Sequence, residues 1–152
     1  MELSRSDQPE VGELVELYDS VGWSAYTEDP PALAAAIAGS TFVVTARDGG
    51  LLVGLARGLS DDVSIFYLQD LLVRPSHQRR GIGRQLLDSC LHRYGHVRQR
   101  VLLTDDEDHQ HRLYRAAGFE DVASLRNVPV HAFVSYRDVE LSRSDLPPPR
   151  RT

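Results

Sequence analysis

The chain has one cysteine, Cys90, so no disulfide can form within it and stability must come from a packed core. That usage suits a reducing compartment. Long apolar runs are also missing. None approaches the roughly 20 residues needed to cross a bilayer, so no membrane partner is expected. The opening Met1-Glu2-Leu3-Ser4-Arg5 lacks the apolar centre of a signal peptide, and a cytoplasmic protein is expected. Positive charge is in the minority, with 17 Lys and Arg against 22 Asp and Glu, a net charge of -5 and a pI of about 5.6. Binding a phosphate polymer needs clustered basic residues, so nucleic acid is not an expected partner.

What is present is an ordinary globular composition, 41% hydrophobic over 152 residues, enough for one core. Charge is unevenly placed. Arg74, His77, Arg79, Arg80 and Arg84 crowd together, while Asp105, Asp106, Glu107 and Asp108 are consecutive. A local basic cluster on an acidic chain suits a small anionic ligand. For the acidic run, solvated surface is the preferred reading.

Periodicity predicts the elements. Val11, Leu14, Val15, Leu17 and Tyr18 mark a helix over Glu10 to Ser20, with Ser6 or Asp7 as its start. Val21 to Thr27 reads as a loop with two large aromatics. Asp29 caps a short helix through Ala38, with Pro30 and Pro31 in its first turn and Gly39 after it. Three strands follow, Thr41 to Arg47, Leu51 to Leu59 and Val63 to Val73, the first two joined by an Asp48-Gly49-Gly50 turn. From Gly81 the period turns helical, with Leu86, Leu87, Cys90, Leu91 and Tyr94 on one face. Cys90 is therefore a core residue. Val101 to Thr104 is a short buried strand, and Glu107 to Ala117 is a helix ended by Gly118. Two late strands are expected around Phe119 to Ala123 and His131 to Val139. The fold class is α/β, a mixed sheet covered by helices. It forms one domain over residues 1–140, with a flexible tail at 141–152 that ends in Pro147-Pro148-Pro149-Arg150-Arg151-Thr152.

Gln78-Arg79-Arg80-Gly81-Ile82-Gly83 lies between a strand and a helix. Glycines let the backbone turn tightly and present successive N–H groups, and the helix start adds its positive end. Arg79, Arg80 and Arg84 add charge, so the expected guest is a phosphate or pyrophosphate. A P-loop would need Gly-Lys-Ser or Gly-Lys-Thr, but Gly83 is followed by Arg84 and Gln85. A dinucleotide fingerprint would need a third glycine near Leu86.

The string from Asp70 through Val73 and Gln78 to Leu87 resembles the coenzyme A-binding motif of the GNAT acetyltransferases. Leu113-Tyr114-Arg115-Ala116-Ala117-Gly118-Phe119 resembles that family's later Tyr-x-x-x-Gly-Phe motif. The resemblance covers about residues 41 to 135. It implies the GNAT fold, a mostly antiparallel twisted sheet flanked by helices, with acetyl-coenzyme A as cosubstrate. It implies that the backbone of Leu71, Leu72 and Val73 meets the pantetheine arm and thioester, and that Gln78, Arg79, Arg80, Gly81, Ile82 and Gly83 wrap the pyrophosphate beside Arg84. Tyr114 matches the tyrosine that protonates the departing thiolate. In the polyamine-acetylating branch a glutamate stands where this chain has Gln69, and glutamine is no base. That leaves Asp70, re-aimed by a bulge, or a water held by Gln69 or Tyr67, or an amine that arrives neutral. Alternation puts Tyr67, Gln69, Leu71 and Val73 on one face and Leu68, Asp70 and Leu72 on the other. Glu107 and Gln110 depart from the residues that relatives have on the last helix.

For the acceptor pocket the candidates are Trp23 and Tyr26, able to flank an amine through cation–π contact, with Tyr67 and Asp105. His109 and His111 lack a partner carboxylate at ligand spacing, so no metal is expected. The expected activity is acetyl transfer to a primary amine by direct attack in a ternary complex, with a small-molecule acceptor. Protein lysine or N-terminal acetylation and a non-catalytic coenzyme A sensor are the alternatives. A homodimer is left open.

Overall fold

The computed structural model describes residues 1–137. The chain divides into two compact units, Met1–Gly118 and the residues from Phe119 on. The first unit runs β1 (Glu2–Ser4), α1 (Val11–Ser20), α2 (Ser24–Thr27), α3 (Pro30–Ala38), β2 (Phe42–Asp48), β3 (Leu51–Ser60), β4 (Ile65–Val73), α4 (Ile82–Tyr94), β5 (Gln99–Leu102) and α5 (Asp108–Ala116). The sheet order is β1-β2-β3-β4-β5, antiparallel except for the parallel pair β4–β5.

Helix α1 buries Leu14, Leu17 and Tyr18, the i, i+3, i+4 stripe of an amphipathic helix. They pack with Leu33 of α3 and with Leu52, Leu55 and Leu72 of the sheet. Truncating a leucine such as Leu17 to alanine should cost about 2–5 kcal/mol. The helix is capped by Glu10, whose N–H donates to Glu13 Oε2 at 2.9 Å. Asp7, expected as a cap, instead accepts from Thr45 Oγ1 at 2.7 Å and Arg47 Nε at 2.8 Å. Arg47 also reaches Glu13 at 2.6 Å. These bonds tie α1 and the segment before it to β2. The aromatic segment expected as a loop contains one helical turn, α2, and β1 carried too few residues to be read as a strand.

Helix α4 covers the opposite face of the sheet. A Cβ on Gly54 would meet Leu86 and Ile82 of α4, and Phe66 stacks on Tyr94 with ring centroids 4.4 Å apart. Gly58 is required by close approach, since a Cβ there would lie 2.3 Å from the Phe66 ring. Cys90 is buried in this layer, and burial pushes its thiol up to about 12. It is packing, not a nucleophile.

The pairing of β3 with β4 slips by one residue. Arg57 faces Asp70, yet Gly58 faces Leu68, which leaves Gln69 unpaired as a bulge. Expected alternation therefore fails across Gln69. Phe66 points to α4, whereas Asp70 and Leu72 point to the α1/α3 face, where Asp70 meets Tyr18 and Leu72 joins Leu14 and Leu17. Inserting one residue into a period of two reverses the faces on one side of the insertion.

Strand β5 begins two residues earlier than expected and is half-buried or exposed. In the second unit, residues 119–137 form no strand. One short turn, Val122–Ser124, is capped by Asp121, which accepts from the Ala123 N–H at 2.9 Å. The expected strands at Phe119 to Ala123 and over residues 131–137 are thus corrected. Valine and aromatic content fits a pleated surface only where a neighbouring strand supplies hydrogen bonds, and Pro129 removes a donor. Residues 138 and 139 of the second expected strand, and the tail at 141–152, lie outside the described residues. Among the described residues no helix is long and apolar enough to cross a membrane.

Candidate active site

Pairing between β4 and β5 stops at Leu68 and Leu102. Beyond that point β4 continues to Val73 with β3 on one side only. Backbone groups on its other edge are left without a ladder, a template for an extended guest. Along this edge lies a cleft of about 820 Å³, a size suited to a cofactor-scale ligand. Leu71, Leu72 and Val73 form its floor, the loop before α4 closes one end, and α5 with the segment after β5 forms a wall.

The loop end is a backbone device. Arg79 has φ 61° and Gly81 has φ 79°, two left-handed positions that fold the chain sharply into α4. Glycine meets the second demand without strain. Gln85 is the first residue of α4 whose N–H finds a helical acceptor, Gly81 C=O at 3.1 Å. The N–H groups of residues 82–84 therefore lie at the open N-terminus, an anion site reinforced by the helix dipole. Gln78 closes the loop by donating Nε2 to Val73 C=O at 3.0 Å. Arg84 ties the helix start to α5, donating to Asp88 at 2.8 Å and to Ala116 C=O at 3.1 Å. Gly83 is different. Its backbone is helical, and a Cβ would meet only Val73 and Leu113 at 3.8 and 4.0 Å. The protein itself does not demand glycine there, which fits a guest that approaches this backbone closely.

The opposite wall carries Tyr114, with Asp105, Glu107, His109, Gln110 and Leu113. Burial pushes the Tyr114 phenol up to about 12, against the lowering effect of a hydrogen bond with Thr104. Thr104 in turn donates to Gln110 Oε1. Tyr114 is held as a neutral donor at any physiological pH. Val21 and Trp23 line the same cleft.

A profile of the acetyltransferase (GNAT) domain matches residues 15–137. The chain belongs to the GNAT acetyltransferase family. A GNAT family protein of Streptococcus pneumoniae is similar over 90% of this chain and 98% of its own, at 28% identity and a TM-score of 0.74. An aminoglycoside N-acetyltransferase solved with coenzyme A shares the fold, at 18% identity and a TM-score of 0.64 over 90% of this chain and 93% of its own. A Gibberella zeae protein named for acetyltransferase activity is 42% identical over 60 residues, 38% of this chain. The match spans about a third of that relative's length, 34%.

In this GNAT chain the cleft gathers Trp23, Leu71, Leu72, Val73, Gln78, Arg79, Gly81, Ile82, Gly83, Arg84, Asp105 and Tyr114 from the sequence-derived candidates. Arg80 does not line it and lies near Asp48, at 3.8 Å. Tyr26, Tyr67, Gln69 and Asp70 are also outside the lining. Asp70 is 2% exposed, and its oxygens accept from Arg57 Nε, from Tyr18 Oη at 2.8 Å and from Tyr26 Oη at 2.9 Å. A carboxylate buried on the α1/α3 face, held there by a guanidinium and two phenols, does not reach an amine in the cleft. The expected base at Asp70 is corrected on that ground: the bulge does re-aim it, but onto the α1/α3 face and not into the cleft. Gln69 Nε2 donates to Tyr26 Oη at 3.1 Å.

Val21, Glu107, His109, Gln110 and Leu113 were not among the sequence-derived site residues. Helical spacing was the available signal. Gln110 and Tyr114 recur at i and i+4 on one face of α5, and Glu107 directly precedes that helix. Val21 carried no signal, because its place depends on how α1 docks.

Proposed function

We propose that this GNAT protein transfers an acetyl group from acetyl-coenzyme A to a small primary amine, by direct attack with both substrates in the cleft. One observation carries this reading: a single cleft joins an open helix N-terminus, an unpaired strand edge and a half-buried protonated tyrosine. The donor set fits the coenzyme. N–H groups of residues 82–84 would hold the pyrophosphate, with Arg79 beside them, and the free edge of β4 at Leu71 to Val73 would bond the amide-bearing arm. Bound acetyl-coenzyme A supplies the thioester that the amine attacks.

Tyr114 hydrogen-bonds the sulfur as negative charge develops there. Its phenol is a weaker acid than a thiol, so it stabilises the charge, while the proton the thiol finally carries is the second one, shed by the nitrogen after attack. Asp105 and Glu107 are the carboxylates that line the cleft, and they attract a cationic amine and ease its proton into water. Trp23 bounds the acceptor's space. No buried base is needed if the amine loses its proton to solvent.

A second reading, a module that holds coenzyme A without turnover, is favoured by the full engagement of Asp70 and by Gln69 being unable to take a proton. Thiol release from acetyl-coenzyme A, measured with kanamycin, spermidine and tryptamine, separates the two. Amine-dependent release is expected. Binding of coenzyme A by calorimetry with no release above background for any amine would support the module.

A further inference from the structure

The residue expected as a base sits instead at the centre of a buried polar network, and what that network holds is the acceptor side of the cleft. Asp70 and Arg57 are 2% and 6% exposed, and Tyr18 is fully buried. Arg57 Nη1 donates to Ser40 Oγ at 3.2 Å and to Ala36 C=O at 3.4 Å, at the end of α3. Both Asp70 oxygens take phenols from the segment bearing α1 and α2, through Tyr18 and Tyr26. The Tyr26 hydroxyl is held twice, since it also accepts from Gln69 Nε2 on the bulge. Trp23 lies between these two tyrosines in sequence and packs against both rings. Its ring lies 5.9 Å from each, its N–H donates to Tyr18 C=O at 3.1 Å, and its own C=O accepts from the Tyr26 N–H at 3.1 Å. Of these residues, Trp23 is the one that lines the cleft.

A buried ion pair is a poor way to gain stability, because desolvation offsets most of the attraction. It does fix geometry, since each partner accepts only one arrangement of donors. We propose that the Asp70–Arg57 pair is a positioning device: through the hydroxyls of Tyr18 and Tyr26 it sets α2, and so places Trp23 as the wall of the acceptor pocket. Gln69 is part of the same device. The bulge that turns Asp70 to the α1/α3 face leaves Gln69 Nε2 on Tyr26. Tyr26 and Asp70 are positioning residues here, acting through Trp23. The pocket's effect on an acceptor rests on the proposed acetyl transfer, while the placement of Trp23 does not.

Trp23 is the chain's only tryptophan, so its fluorescence reports this wall directly. Tyr26→Phe keeps the ring and removes one hydroxyl. Acrylamide quenching of Trp23 should rise about 2-fold as the segment loosens. Coenzyme A affinity, read by calorimetry, should hold within about 2-fold. With kanamycin, spermidine or tryptamine, whichever releases thiol, acceptor KM should rise about 10-fold at nearly constant kcat, the size of one lost hydrogen bond to a charged group. Gln69→Leu should shift both readouts the same way by less. Unchanged Trp23 quenching in Tyr26→Phe overturns the proposal. A fall in kcat at constant KM also overturns it, because the hydroxyl would then act in the chemistry. If no probe amine releases thiol, the acetyl-transfer reading fails, while the quenching result still decides whether the network positions Trp23.

Discussion

The two ends of the cleft are built by opposite means. At the end proposed for phosphate, seven consecutive residues, 78–84, supply the turn, the glycines and the open helix N-terminus. The donors are backbone groups, and their direction follows from local dihedral angles. At the end proposed for the acceptor, Trp23 comes from a segment far in sequence from Asp105 and Tyr114, and Trp23 packs on Tyr18 and Tyr26, whose hydroxyls meet Asp70 beside Arg57. The first end is a motif. The second is a consequence of packing, so it can vary among chains that keep the first.

The contrast can be broken most sharply at Gly83. Gly83→Glu adds a carboxylate in the first turn of α4, where the helix dipole favours it. Thermal stability should be unchanged or slightly higher, while coenzyme A affinity by calorimetry falls about 1000-fold through blocked and repelled phosphates. Unchanged affinity in the folded variant would remove the phosphate site from this loop.

Asp70→Asn tests the other end. It leaves Arg57 buried without its counter-charge and should cost about 3 kcal/mol in urea unfolding. A loss under about 0.5 kcal/mol would show that the pair is not holding the α1/α3 face. Tyr114→Phe removes the donor and keeps the ring. Turnover should fall about 10- to 100-fold with coenzyme affinity little changed. Full turnover would make Tyr114 a packing residue. Asp105→Asn is the mildest case, with acceptor KM rising about 3-fold and the effect shrinking in salt, as expected of an exposed charge.

The pH dependence follows from Tyr114. Burial raises its pKa from 10.0 to about 12, so the neutral phenol is favoured by folding. The stability it contributes is complete below pH 10 and is lost as pH rises toward 12. Turnover should climb with the neutral fraction of the amine and show no alkaline fall below about pH 11. A fall near pH 9 in a folded protein would require another acid.

Much of the frame was legible. The meander of β2, β3 and β4, the capping of α3 by Asp29 and the stripe of α4 all follow from periodicity and caps, which act over a few residues. Misses cluster where a neighbour decides. Asp7 has the chemistry of a helix cap, but Arg47 and Thr45 claim it across the sheet. The residues from Phe119 look like strand, but no ladder forms over 119–137. Gln69 and Asp70 carry no mark of the bulge, because a bulge belongs to the pairing of two strands and neither strand alone encodes it.

By itself the sequence determined the loop before α4. Glycine's freedom at Gly81, the helix start at Ile82 and the strand before it are properties of adjacent residues, and local sterics settle them. Only the tertiary structure decided which way Asp70 points. A one-residue slip between β3 and β4 turned its carboxylate from the α4 face, where Phe66 packs, to the α1/α3 face. There a guanidinium and two phenols repay its desolvation, and a side chain with the chemistry of a base became an anchor.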